Sequence, residues 1–163
     1  MRFAYADPPY YRCGARYYGR PEWDDQATHL ELVAQLVEEY PDGWALSTRS
    51  VDLRWLLPAC PDDVLVAAWT KPFSGSARRG VRIYRVWEPV IYRTVRRNTS
   101  VGVRTRDALV ENPTRAVGFI GAKPQRFNRW IADLLGYVDG DTLDDLYPGT
   151  GGMGHELDQL TIL

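Results

Sequence analysis

Apolar positions along the chain fall into short runs with two different spacings. "FAYA" (3–6) is an apolar run stopped by Pro8 and Pro9, which cannot donate to a ladder, so it predicts a short strand. Residues 26–39, "QATHLELVAQLVEE", set Leu30, Val33, Leu36 and Val37 on one helical face and predict an amphipathic helix, stopped by "YPDG" (40–43). "WALST" (44–48) predicts a second strand and "VDLRWLL" (51–57) a short helix. "DVLVAAW" (63–69) is an unbroken apolar run of the kind that fits a strand buried on both faces. "EPVIYRTV" (88–95) predicts a further strand, and "AVGFIG" (116–121) a strand or extended segment. Pro124 opens a helix with Phe127, Trp130, Ile131, Leu134 and Leu135 on one stripe, and Gly136 suits its end. A last strand is expected near 142–147, running into "YPGTGGMG". Residues 11–23, rich in Tyr, Arg and Gly, read as a loop, and 96–115 have no clear period.

Strand–helix alternation predicts an α/β fold: an open, mostly parallel sheet with helices on both faces and ligands beyond the carboxyl ends of its strands. No repeat or linker interrupts the pattern, so residues 1–163 are expected to form one domain. No apolar run approaches membrane-spanning length and no signal pattern opens the chain, so a soluble, cytoplasmic protein with no membrane partner is expected. Cys13 and Cys60 have neither metal-ligand spacing nor the number a disulfide framework needs.

Charge adds an asymmetry that the net value of −1 hides. Lys71 to Arg106 holds ten basic residues and one acid, Glu88, a net +9 that leaves −10 for the remainder. Such a stretch is the electrostatic footprint of a phosphate-backbone partner, or else an Arg-rich solvated surface. Arg78, Arg79, Arg96 and Arg97 are its candidate nucleic-acid contacts, and 96–118 a short target-contact segment. Arg12 and Arg16 lie with Tyr11, Tyr17 and Tyr18 in an aromatic–basic loop suited to folding over a nucleotide, or to packing on the domain.

Two motifs sit at expected strand ends. "GTGGMG" (149–154) satisfies a glycine-rich nucleotide pattern, but the dinucleotide reading needs an acid about 20 residues further on, and the sequence stops at Leu163. "DPPY" (7–10) offers an acid, a rigid carbonyl and a ring. An exocyclic amine conjugated to a base is a poor nucleophile, and accepting both its hydrogens helps localise the lone pair. Asp7 and the Pro8 carbonyl are the two acceptors, Pro9 stiffens the turn, and Tyr10 offers a surface for a base taken out of its stack. His29 reads as a surface or half-buried histidine of the first helix, and His155 stands near the glycines.

"DPPY" resembles the catalytic signature of S-adenosylmethionine-dependent amino methyltransferases, particularly those acting on adenine N6. "DLYPGTG" resembles that family's cofactor segment, through Asp145, Tyr147, Gly149 and Gly151. Lys123-Pro124 opening a helix before that segment, with the catalytic motif first and the cofactor motif last, resembles the permuted, β-class-like branch. "WEPVIYR" (87–93) is similar to a late strand of its catalytic domain. The resemblance implies a Rossmann-like methyltransferase sheet, with Asp7 and Pro8 binding the target amine, Pro9 shaping the loop and Tyr10 stacking on the base. It also implies S-adenosylmethionine held by Asp145, Tyr147, Gly149 and Gly151 with Lys123 nearby. DNA is the implied partner, with RNA and cytosine N4 as variants; the aspartate at position 7 leans towards adenine. Family members continue past the glycines through a helix and a further strand, whereas "MGHELDQLTIL" remains here, with Glu156 and Asp158 as its acids. That implies a trimmed sheet edge, an edge completed by a partner chain or homodimer, or a non-catalytic nucleic-acid-binding relative.

Overall fold

Phe3 and Tyr5 point to one face of the first strand and Ala4 and Ala6 to the other, and all four are buried. That strand therefore sits inside a sheet covered on both sides. The structure, a computed structural model, describes residues 1–72, 82–97, 103–114 and 123–148. Their elements run β1 (Arg2–Ala6), α1 (Gln26–Glu39), β2 (Gly43–Ser47), α2 (Leu53–Leu56), β3 (Leu65–Thr70), β4 (Trp87–Thr94), β5 (Ala108–Val110), α3 (Gln125–Leu135) and β6 (Thr142–Asp145). The six described strands form one sheet in the order β5-β3-β4-β2-β1-β6. β1 is parallel to β2 and β6, and β3 to β5, while β4 runs against both β2 and β3. The sheet is thus parallel apart from one reversed strand, and β4 brings its first residues to the end where β1, β2 and β3 finish.

Helix α3 covers one face. Its stripe of Phe127, Trp130, Ile131, Leu134 and Leu135 is buried against Phe3, Tyr5, Trp69 and Val90. Burying each of those side chains contributes roughly 1.5–3 kcal/mol. Gly136 ends the helix at φ 73, the left-handed cap expected from the sequence. Helices α1 and α2 cover the other face, around Trp44, Leu46 and Ile91.

Three expectations need correction. The buried stripe of α1 is His29, Leu32, Val33 and Leu36, while Leu30 and Val37 face outwards. His29 turns the helix: its Nε2 donates to the Trp23 carbonyl at 3.0 Å, among the rings of Tyr11, Trp23 and Trp55. Burial lowers its pKa, so it is a neutral core histidine. β3 begins with Leu65 and Val66 exposed, and only Ala67 and Trp69 are buried, because it lies next to a three-residue edge strand. That edge strand, β5, falls in the stretch that had no period; three residues are too few to show one. The run at 116–121 lies outside the described residues.

Arg96, just past β4, ties the segment that follows α3 to β1. Its guanidinium forms an ion pair with Asp141, bonds the Gly136 carbonyl at 2.7 Å and lies over the Phe3 ring. Asp141 also accepts from the Val138 N–H and the Met1 amino group.

Candidate active site

The sheet ladder along β1 stops where the prolines begin. Leu146 N–H donates to the Tyr5 carbonyl at 3.0 Å, and two residues later Asp7 projects beyond the strand end. Pro8 is buried, and the Cys13 N–H closes the turn on the Tyr10 carbonyl at 2.8 Å. Arg12 takes a left-handed φ of 61 within that turn, unusual for a residue with a side chain. A π-helical turn over Gly14–Tyr18 follows. Gly14 donates to Asp24 Oδ1, and a Cβ there would come within 2.2 Å of the Arg20 carbonyl. Gly14→Ala is therefore expected to cost about 1–3 kcal/mol in chemical unfolding, by overpacking the base of this loop.

Asp7 enters a cluster assembled from three strand ends and the start of a helix. Lys123, just before α3, holds it at 3.1 Å, and the Tyr10 hydroxyl lies 3.4 Å away. The same hydroxyl donates to Glu88 Oε2 at 3.0 Å, and Lys71 ion-pairs with Glu88 Oε1. Glu88 opens β4, and Lys71 follows β3. Trp69 and Phe127 wall the lysine from below, their rings 5.0 and 5.4 Å from its Nζ. Burial, then the Asp7 and Glu88 charges, push the Tyr10 hydroxyl well above its ordinary pKa, so it stays a neutral donor. Glu88 is pushed up by burial but brought below the carboxylate range by Lys123 and Lys71, so it stays ionised. Lys123 is raised by Asp7 and Glu88 against its own desolvation.

Glu88 and Lys71 are site members that motif reading missed. The signal was there: Glu88 is the single acid in a window of net +9. A lone acid at the start of an apolar strand, amid ten cations, is placed to pair with some of them.

Asp145 stands at the neighbouring strand end, its Cα in register with Tyr5. Its carboxyl is pushed up by burial, with Asp7 adding to the rise and the Tyr147 N–H opposing it. The Tyr147 ring packs edge-on against Trp23. Gly149 and Gly151 lie outside the described residues. Tyr18, exposed at the mouth, has its hydroxyl raised by partial burial and then by the charge of Asp7.

The arginine candidates divide. Arg12 and Arg16 are exposed on the loop after Tyr10, each over its neighbouring tyrosine ring. Arg78 and Arg79 lie outside the described residues. Arg96 and Arg97 follow the far end of β4, roughly 25 Å from Glu88 at about 3.3 Å per residue. Arg96 is committed to Asp141, and Arg97 to Asp63 and the Thr94 carbonyl. Reversal of β4 carries both to the end of the sheet away from Asp7. Arg82 and Arg85, exposed just before β4, lie at the site end instead.

No known family model matches the sequence, and no curated protein matches it. Solved structures do match. The crystal structure of the M1.HpyAVI–SAM complex aligns with a TM-score of 0.67 at 11% identity, over 98% of this chain and 78% of that one. The chain has the Rossmann-like methyltransferase fold. In that fold the strand ends carrying Asp7, Glu88 and Asp145 form one continuous rim.

Proposed function

We propose that the protein transfers a methyl group from S-adenosylmethionine to the exocyclic N6 of adenine in DNA. The observation that carries this reading is the pair of carboxylates on adjacent strand ends, Asp7 just past β1 and the partly buried Asp145 closing β6. Asp145, raised by burial and by a neighbouring acid, is a site that favours a cation, and the methionine end of S-adenosylmethionine carries an ammonium. Tyr147 and, by the sequence resemblance, Gly149 and Gly151 complete that side. When bound there, S-adenosylmethionine supplies an electrophilic methyl whose transfer leaves a neutral thioether.

The protein's own residues prepare the amine. Asp7 accepts one N–H, and the Pro8 carbonyl is the second acceptor in the DPPY turn. Together they hold the nitrogen with its lone pair directed at the methyl, and Asp7 stands ready to take the proton released on transfer. Tyr10, tethered by its hydroxyl to Glu88 and Asp7, offers its ring as the surface on which the flipped base stacks. Arg12 and Arg16 on one loop, and Arg82 and Arg85 on another, flank the mouth and suit the phosphates around a flipped nucleotide.

The test is transfer of labelled methyl to unmethylated duplex DNA, which should proceed with the isolated chain. Failure of transfer by the folded protein supplied with S-adenosylmethionine would overturn the reading. Two further outcomes are expected. Replacing Arg82 and Arg85 together by Gln should lower the slope of log affinity against log salt by about 2, read by DNA titration at several salt concentrations. S-adenosylmethionine affinity should weaken as pH falls through the raised pKa of Asp145, since protonation removes the anion that holds the ammonium. Equilibrium binding between pH 7 and pH 4 measures it.

A further inference from the structure

Lys123 is shared between two carboxylates. Its ammonium lies 3.1 Å from Asp7 Oδ2 and 3.6 Å from Glu88 Oε2. All three side chains are largely enclosed, with exposures of 13% for Lys123, 27% for Asp7 and 19% for Glu88. The acceptor that the proposed reaction needs is therefore already occupied, since Lys123 also reaches Asp7 Oδ1 at 3.2 Å. An incoming amino group has to take oxygens that an ammonium now holds.

Removing that ammonium to water would strand Asp7 and uncover the rings of Trp69, Phe127 and Tyr10 that surround Lys123. A buried charge left without a partner is strongly destabilising. Glu88 offers a shorter route. Its Oε1 is fixed by Lys71, and its Oε2 faces Tyr10 and Lys123. Closing the longer contact to an ordinary charged hydrogen bond of about 2.8 Å needs a movement of under about 1 Å.

We propose that Glu88 is a positioning residue for the reaction: it receives the Lys123 ammonium when the target amino group takes over Asp7. No bond forms or breaks in the exchange, and the charge of the enclosed cluster is unchanged. Asp7 becomes an open acceptor, while Lys123 passes from one carboxylate to the other. Tyr10 on the receiving oxygen and Lys71 on the other hold the Glu88 carboxylate in place. The inference rests on the methyl-transfer reading of this site.

Glu88→Gln is the primary test. The amide still accepts a hydrogen bond but carries no charge, so Lys123 stays on Asp7. The expected result is a fall of roughly 10–100-fold in kcat/KM for DNA, the size of losing a charge-assisted contact made during the reaction, with S-adenosylmethionine affinity within about twofold of wild type. Glu88→Asp, which keeps the charge on a shorter stem, should recover part of that loss, and should do so even if the glutamine variant melts early. A crystal structure with an adenosine oligonucleotide and a non-reactive cofactor analogue should show Lys123 on Glu88 and the amino group on Asp7. Wild-type kcat/KM in Glu88→Gln, equal losses in the glutamine and aspartate variants, or Lys123 still on Asp7 in that complex would each overturn the inference while leaving methyl transfer intact. Absence of methyl transfer by the wild type would instead overturn the underlying reading, and the inference with it.

Discussion

Asp7→Ala is expected to lower methyl transfer by about 10²–10³-fold or more, the loss typical of removing one charged group aimed at the reacting atom. The fold should survive, because the change leaves no isolated cation: Lys123 retains Glu88, and the Tyr10 hydroxyl retains its 3.0 Å bond to the same carboxylate. Asp7 stands past the end of β1 and contributes no ladder bond. S-adenosylmethionine binding should fall little, since its proposed holders are on β6 and the turn beyond. Asp7→Asn should lose less than Asp7→Ala, because an amide oxygen still accepts one N–H without the charge. Steady-state transfer with thermal melting and cofactor titration on the same samples separates these effects. Equal loss of activity and of cofactor affinity in Asp7→Ala would place the residue on the wrong side of the site.

The largest expected effect on stability is at the opposite end of the sheet. Asp141 is 4% exposed and accepts from Arg96, the Val138 N–H and the Met1 amino group. Burial would raise its pKa, but these donors, Arg96 foremost, pull it from 3.8 down to about 2. Asp141→Asn leaves a buried guanidinium without its anion and should cost about 3–5 kcal/mol, lowering Tm by roughly 10 °C. The sign in pH follows from the depressed pKa. The contribution is complete above pH ~4, where the carboxylate is ionised in both folded and unfolded chains, and is lost as pH falls towards 2. Melting curves of wild type and Asp141→Asn should therefore differ widely at pH 7 and converge near pH 2. Catalytic constants at a temperature where both are folded should be alike, because Asp141 lies away from Asp7.

Much of this architecture is written locally. The 14 residues of α1 and the stripe and glycine cap of α3 follow from helical spacing and terminators, and β1 ends where its prolines begin. The carboxylate at position 7 is legible for the same reason: two prolines after an apolar strand leave an acid standing at its end. What spacing does not encode is which strand lies beside which. The reversal of β4 brings Glu88 onto the site and sends Arg96 and Arg97 to the far end, and no feature of residues 87–97 announces direction. Nor does an apolar period reveal that a histidine is drawn inwards. His29 is buried because Trp23 offers a carbonyl and Trp55 a ring, both from other segments. Lys123 shows a third limit: its place before α3 is local, whereas its partners stand 116 and 35 positions away in sequence.

One measurement tests the central claim most directly: nucleoside mass spectrometry of unmethylated DNA after incubation with the protein and labelled S-adenosylmethionine, beside Asp7→Ala. The account predicts labelled N6-methyladenine from the wild type and a signal reduced by about 10²–10³-fold from the variant. Equal product from wild type and variant, or no methylated base from a wild-type protein that is folded and supplied with the donor, would contradict it.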